Sequence, residues 1–91
     1  MEVNGMHVIN FNQTCQAWSP IKEHNAFYVV KTIDYLMDML RQRNYIYSNQ
    51  IYEAFGAPWN PDFENVCYRD VNDFFVGYHE DSDGDYNIEF S

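Results

Sequence analysis

Basic residues are scarce in this chain. Lys22, Lys31, Arg41, Arg43 and Arg69 stand against fourteen aspartates and glutamates, for a formal net charge of −9. Phosphate contacts and anionic lipid surfaces both call for Lys and Arg, so no direct binding to nucleic acid or to a membrane is expected. A basic protein is the natural complement. Cysteine is nearly as rare. Cys15 and Cys67 lie far apart, in neither a metal-ligand spacing nor a nucleophile motif. Whether they pair is left open, and reduced thiols in a cytoplasmic protein are the plain expectation. With four glycines there is no Gly-rich phosphate loop, and His7, His24 and His79 sit in unrelated contexts. No apolar run is long enough to span a bilayer, and the first residues do not read as a signal segment. These absences argue against an enzyme, a cofactor and a metal centre.

What the chain does have is aromatic mass and one long amphipathic segment. Ninety-one residues suggest a single acidic domain over 1–91, whose modest core leans on an aromatic content of 19%. Eight tyrosines exceed what such a core hides; some lie at the surface, where tyrosine suits binding, or line half-buried strands. Over residues 25–44, Ala26, Val29, Val30, Ile33, Leu36, Met37 and Leu40 recur at helical steps, with Lys31, Asp34, Asp38 and Arg41 opposite. Asn25 reads as the cap of this helix and Asn44 as its left-handed terminator.

The rest arranges itself around that spine. A short β-prone strand is expected over residues 6–11, then an irregular stretch holding Trp18, read as a lid on the core. Ser19 and Pro20 have the chemistry to start an early helical turn. After the spine, Tyr45, Ile46 and Tyr47 form an extended link. Ser48 then caps a shorter helix through Ile51, Tyr52 and Phe55, ended by Gly56. That second helix carries Glu53 and no Lys or Arg, which is wrong for DNA recognition. A third short helix is expected from Asn60, Pro61, Asp62 and Glu64, with Phe63, Val66 and Cys67 inward. The fold class is α+β: a long central helix and a shorter one packed on a small antiparallel sheet with a C-terminal hairpin.

The hairpin register follows from its pattern. Phe74, Val76 and Tyr78 alternate on one side, and Tyr86, Ile88 and Phe90 on the other. A two-residue Asp83–Gly84 turn would set Tyr78 against Glu89 and mix the two faces. A three-residue loop of Ser82, Asp83 and Gly84 sets Tyr78 against Ile88 and gives Gly84 the left-handed position. That choice puts Asp81 opposite Asp85, with Glu80 and Asp83 beside them, and like charges across a ladder destabilise. Either a cation or basic partner relieves the repulsion, or water alone does. An EF-hand does not fit: with Gly84 at the sixth position the first is His79 and the twelfth Phe90.

The segments Arg41-Gln-Arg-Asn-Tyr-Ile-Tyr-Ser-Asn-Gln-Ile-Tyr-Glu-Ala-Phe-Gly56 and Val76-Gly-Tyr-His…Gly84-Asp-Tyr-Asn-Ile-Glu-Phe90 resemble a small, largely uncharacterised family. Its members resemble proteins carried on phages and other mobile elements of Gram-positive bacteria. The chain departs from the family's pattern at Asn44, where glycine is usual. The resemblance implies a small acidic protein in the cytoplasm of a bacterial host. Anti-CRISPR proteins of such elements present carboxylates where a nuclease expects phosphates. Carboxylates two residues apart on a strand are ~6.7 Å apart, of the order of phosphate spacings. An RNA-guided Cas nuclease with its guide RNA offers the arginines that read a short DNA motif. On that reading the partner-binding residues are Glu80, Asp81, Asp83, Asp85, Glu89, Asp70, Asp73, Tyr78 and Tyr86. The rival is a small structural or accessory interaction module of the mobile element.

Overall fold

The computed structural model describes residues 7–58 and 65–91. In chain order the elements are β1 (His7–Phe11), α1 (Lys22–Arg43), β2 (Ile46–Tyr47), α2 (Ser48–Ala54), β3 (Cys67–Tyr68), β4 (Val76–Glu80) and β5 (Tyr86–Phe90). β5 is the centre of an antiparallel sheet ordered β1-β5-β4, and β2 and β3 make a separate two-stranded ladder. Two helices on a small antiparallel sheet is an α+β fold.

The strands pair Val76 with Phe90, Tyr78 with Ile88 and Glu80 with Tyr86, the register of the three-residue loop. Gly84 sits at φ 86, where a side chain is strained. On the other edge His7, Ile9 and Phe11 pair with Phe90, Ile88 and Tyr86. Because side chains alternate, these residues share the inner face with Val76, Tyr78 and Glu80, while Val8, Asn10, Gly77, His79, Asn87 and Glu89 point outward. Burial follows the alternation in β1 and β5. Tyr78, on the inner face of the edge strand β4, is nonetheless exposed.

α1 begins one turn before the expected start. Its N-cap is Ile21, and Asn25 lies inside the first turn, 1% exposed. There the Asn25 amide accepts from Ser19 N–H at 2.8 Å and donates to Ser19 C=O at 2.7 Å. Asn25 therefore fastens the incoming chain to the helix instead of capping it. Ser19 and Pro20 remain outside the helix, with Ser19 Oγ accepting from Ile21 N–H. Asn44 is left-handed at φ 63 and its backbone N–H donates to Leu40 C=O, the helix terminator expected from its residue type.

The buried face of α1 is Asn25, Val29, Thr32, Leu36 and Leu40. Ala26 and Val30 are exposed, and Ile33 and Met37 are half-buried. The face is rotated about 60° from the hydropathic one at 100° per residue. The polar Asn25 and Thr32, which hydropathy assigns to water, lie inside.

α2 starts at Ser48 with Tyr47 as its N-cap, Tyr47 N–H donating to the Gln50 side chain. Ser48 bonds Val66 through backbone and hydroxyl alike. That clamp makes Val66 the approach to β3, whose first residue Cys67 pairs with Tyr47, so neither belongs to a third helix. The other residues assigned to that helix, together with Trp59, lie outside the described residues. The core forms where the inner sheet face meets α1 and α2: Phe11 packs against Trp18, Tyr28 and Phe55, and Phe90 against His7, Tyr52 and Tyr68. No helix among the described residues is long and apolar enough to cross a membrane.

Candidate protein-binding site

The hairpin tip is closed by backbone bonds from Asp81 N–H to Asp85 C=O and from Gly84 N–H to Asp81 C=O. The Asp81 carboxylate turns back into this loop, accepting from Asp83 N–H at 2.9 Å and Asp85 N–H at 3.1 Å. Bonds from amides to an ionised acceptor are stronger than neutral ones. Asp81 thus has a folding role, which offsets the cross-strand repulsion.

Its neighbours divide between the two sheet faces. Glu80, on the inner face, lies 3.8 Å from the Lys22 ammonium at the start of α1. Both side chains are well exposed, so the pair is worth no more than ~1 kcal/mol. The same lysine lies over the loop, since a Cβ added at Gly84 would come within 3.3 Å of its Nζ. Part of the charge relief is therefore internal. Glu89 is on the outer face, 3.7 Å from His79 Nδ1, an ion pair only when that ring is protonated.

Asp70 and Asp73 belong to the turn before β4. The Asp70 side chain accepts from Asn72 N–H, and Asp73 N–H donates to Asp70 C=O. The five residues of β4, about 16 Å of strand, separate them from the tip, so the two acidic groups do not form one patch. Tyr86 is 6% exposed and belongs to the core, its ring 6.3 Å from that of Tyr78. Burial raises its phenol pKa above the usual tyrosine range, and Glu80 and Tyr78 add to the effect.

Among the described residues the carboxylates of Asp70, Asp73, Asp81, Asp83 and Asp85 make no ion pair. Asp83 and Asp85 differ from the rest in position. Both line a hollow of about 330 Å³ whose other walls are Asn12, Gln13, Thr14 and Trp18. These last four come from the loop after β1, brought alongside because β1 pairs with β5. Trp18 is half-buried with its ring edge-to-face on Phe11 at 5.2 Å, so it serves the core and the hollow together. Its place in the core agrees with the lid expected of Trp18, while its place in the hollow is not legible locally. The missing signal was the β1–β5 pairing, a long-range contact that no local pattern announces.

A larger hollow of about 490 Å³ lies between Thr14, Gln16, Asn49, Glu53 and residues 56–58. Among the described residues no three His, Cys, Asp or Glu side chains group as a metal site would require. What the tip can do chemically is accept N–H donors from a cation. No family model, curated protein or solved structure matches the chain.

Proposed function

We propose that this protein is a binding protein, not an enzyme: an acidic inhibitor that occupies a nucleic-acid site on a basic host enzyme. In its most specific form it is an anti-CRISPR protein of a phage or mobile element, acting in the bacterial cytoplasm on the DNA-motif-reading site of a Cas nuclease. The observation that carries the reading is the pair Asp83 and Asp85, carboxylates that line a hollow at the end of a hairpin and make no ion pair among the described residues, in a chain of net charge −9. Arginines that read DNA or hold its phosphates are the matching donors.

The rival reading, an accessory interaction module acidic for solubility, draws support from the internal partners of Glu80, Glu89 and Asp81. A panel of guide-loaded Cas nucleases separates the two. Inhibition of DNA binding by one nuclease, relieved by excess duplex carrying its motif, supports the inhibitor. Inhibition of none, with no competition by DNA, overturns it.

A further inference from the structure

The hydropathic stripe of α1 faces away from the core. The helix buries Asn25, Val29, Thr32, Leu36 and Leu40, whereas Ala26 and Val30 are exposed and Ile33 and Met37 half-buried. Steps of four, three and four residues put Ala26, Val30, Ile33 and Met37 on one seam, the spacing that two helices share in a coiled coil. Phe27 flanks that seam at 65% exposed, its ring 5.5 Å from the Lys31 ammonium, and Val30 at its middle is 42% exposed. We infer that this seam is the contact face of a homodimer, covered by α1 of a second copy lying antiparallel. The inference is independent of the inhibitor reading.

Charge selects the occupant. α1 carries four of the five basic residues against three of the fourteen acidic ones, so two copies of net charge −9 meet there with least repulsion. A two-fold contact must also be self-complementary, each residue facing its counterpart's partner. An antiparallel register that sets Val30 of one copy against Ile33 of the other also sets Ala26 against Met37. It brings Glu23 close to Arg41 and Lys31 close to Asp34, opposite charges on the same flank of the seam, all four exposed. Neither a basic nor an acidic partner is matched by so mixed a pattern, since one meets Lys31 and Arg41 and the other Glu23, Asp34 and Asp38. The sheet edge at β4 serves a second copy worse, because an antiparallel β4 pair would bring the acidic tip of one copy beside Asp70 and Asp73 of the other. At 22 residues α1 is about 33 Å long, and a strip ~10 Å wide along it covers roughly 330 Å² on each copy. That is below the size of a standard stable interface, so the dimer is weak and concentration-dependent.

The test follows the whole protein by sedimentation velocity from micromolar to millimolar concentration. Isotope-filtered NOEs are then read on a mixture of ¹³C-labelled and unlabelled chains. Expected is a reversible dimer whose NOEs between copies join Val30 to Ile33 and Ala26 to Met37. Val30→Glu, at an exposed position beside the two-fold axis, sets two carboxylates together and should weaken association at least about tenfold while the melt stays cooperative. Glu23→Arg and Arg41→Glu each bring like charges together across the seam and should each weaken it severalfold. An equimolar mixture of those two variants restores opposite charges at both ends, and should associate more tightly than either variant alone. A change in folding would not produce that rescue. A monomer throughout the range, a dimer whose NOEs lie at the sheet or the hairpin, or a mixture no tighter than its components overturns the inference.

Discussion

Replacing Gly56 by alanine should destabilise the protein far more than the same change at Gly84, although both glycines have positive φ, 66° and 86°. A side chain in the left-handed region costs about 1–2 kcal/mol at either place. The difference lies in what the new methyl meets. At Gly84 the nearest atoms are the flexible end of Lys22, at 3.2 and 3.3 Å, which can swing away. At Gly56 the Cβ would stand 2.7 Å from Ala17 N and 3.0 Å from Gln16 N, and backbone cannot swing. Relieving that overlap pulls the loop away and weakens the Gln16 N–H to Gly56 C=O bond, worth about 0.5–1.5 kcal/mol net. Gly56→Ala should thus lose about 1.5–3.5 kcal/mol and Gly84→Ala about 1–2. At ~4–8 °C per kcal/mol for a domain of this size, the first should melt several degrees below the second. Thermal and urea unfolding followed by circular dichroism reads both. If Gly56→Ala melts at or above Gly84→Ala, the attachment of the loop to the end of α2 is misjudged, and with it the fixed wall of the hollow.

The rotated face of α1 predicts that Val29→Asp, at a position 0% exposed, abolishes the cooperative melt. Ile33→Asp, at a half-buried position that hydropathy puts at the centre, should leave one; equal damage from both would refute the rotation. At the tip, Asp81→Ala removes the acceptor of two amides and should cost about 1–3 kcal/mol, whereas Asp81→Asn keeps an acceptor oxygen and should cost less; a urea series ranks them. Tyr86 should ionise above the usual tyrosine range in an alkaline ultraviolet titration. Its folded pKa is raised, so its contribution to stability is complete below the ordinary value of about 10 and is lost as pH rises through the higher folded value. A Tyr86 that ionises at the ordinary value of about 10 would contradict its burial.

The hairpin was legible because two local rules agree on it: period-two alternation fixes which residues share a face, and Gly84 fixes the loop length. The end of α1 was legible for the same kind of reason, Asn44 being one of the few non-glycine residues that tolerate the left-handed region. Its start was not. Asn25 is a good cap by type, but its amide is used by Ser19, six residues back, and a side chain that satisfies itself that way is buried despite its polarity. β3 was missed because Cys67 and Tyr68 hold a strand only through the partner that Ile46 and Tyr47 provide. At the site, sequence proximity overstated the acidic patch. A strand alternates its faces, so Glu80 and Glu89 part company, and β4 sets Asp70 and Asp73 at its far end. Of the acidic residues expected at the site, Asp83 and Asp85 join the hollow made with residues more than sixty positions earlier.

The measurement that bears most directly on the central claim is the salt dependence of affinity for a nuclease that the protein inhibits, native against Asp83→Asn/Asp85→Asn. Carboxylates that replace phosphates should give binding that falls steeply between low and high salt and is displaced by motif-bearing duplex. The double variant should bind at least about tenfold more weakly at low salt, with a shallower slope. Equal affinities and parallel slopes for the two proteins would contradict the account.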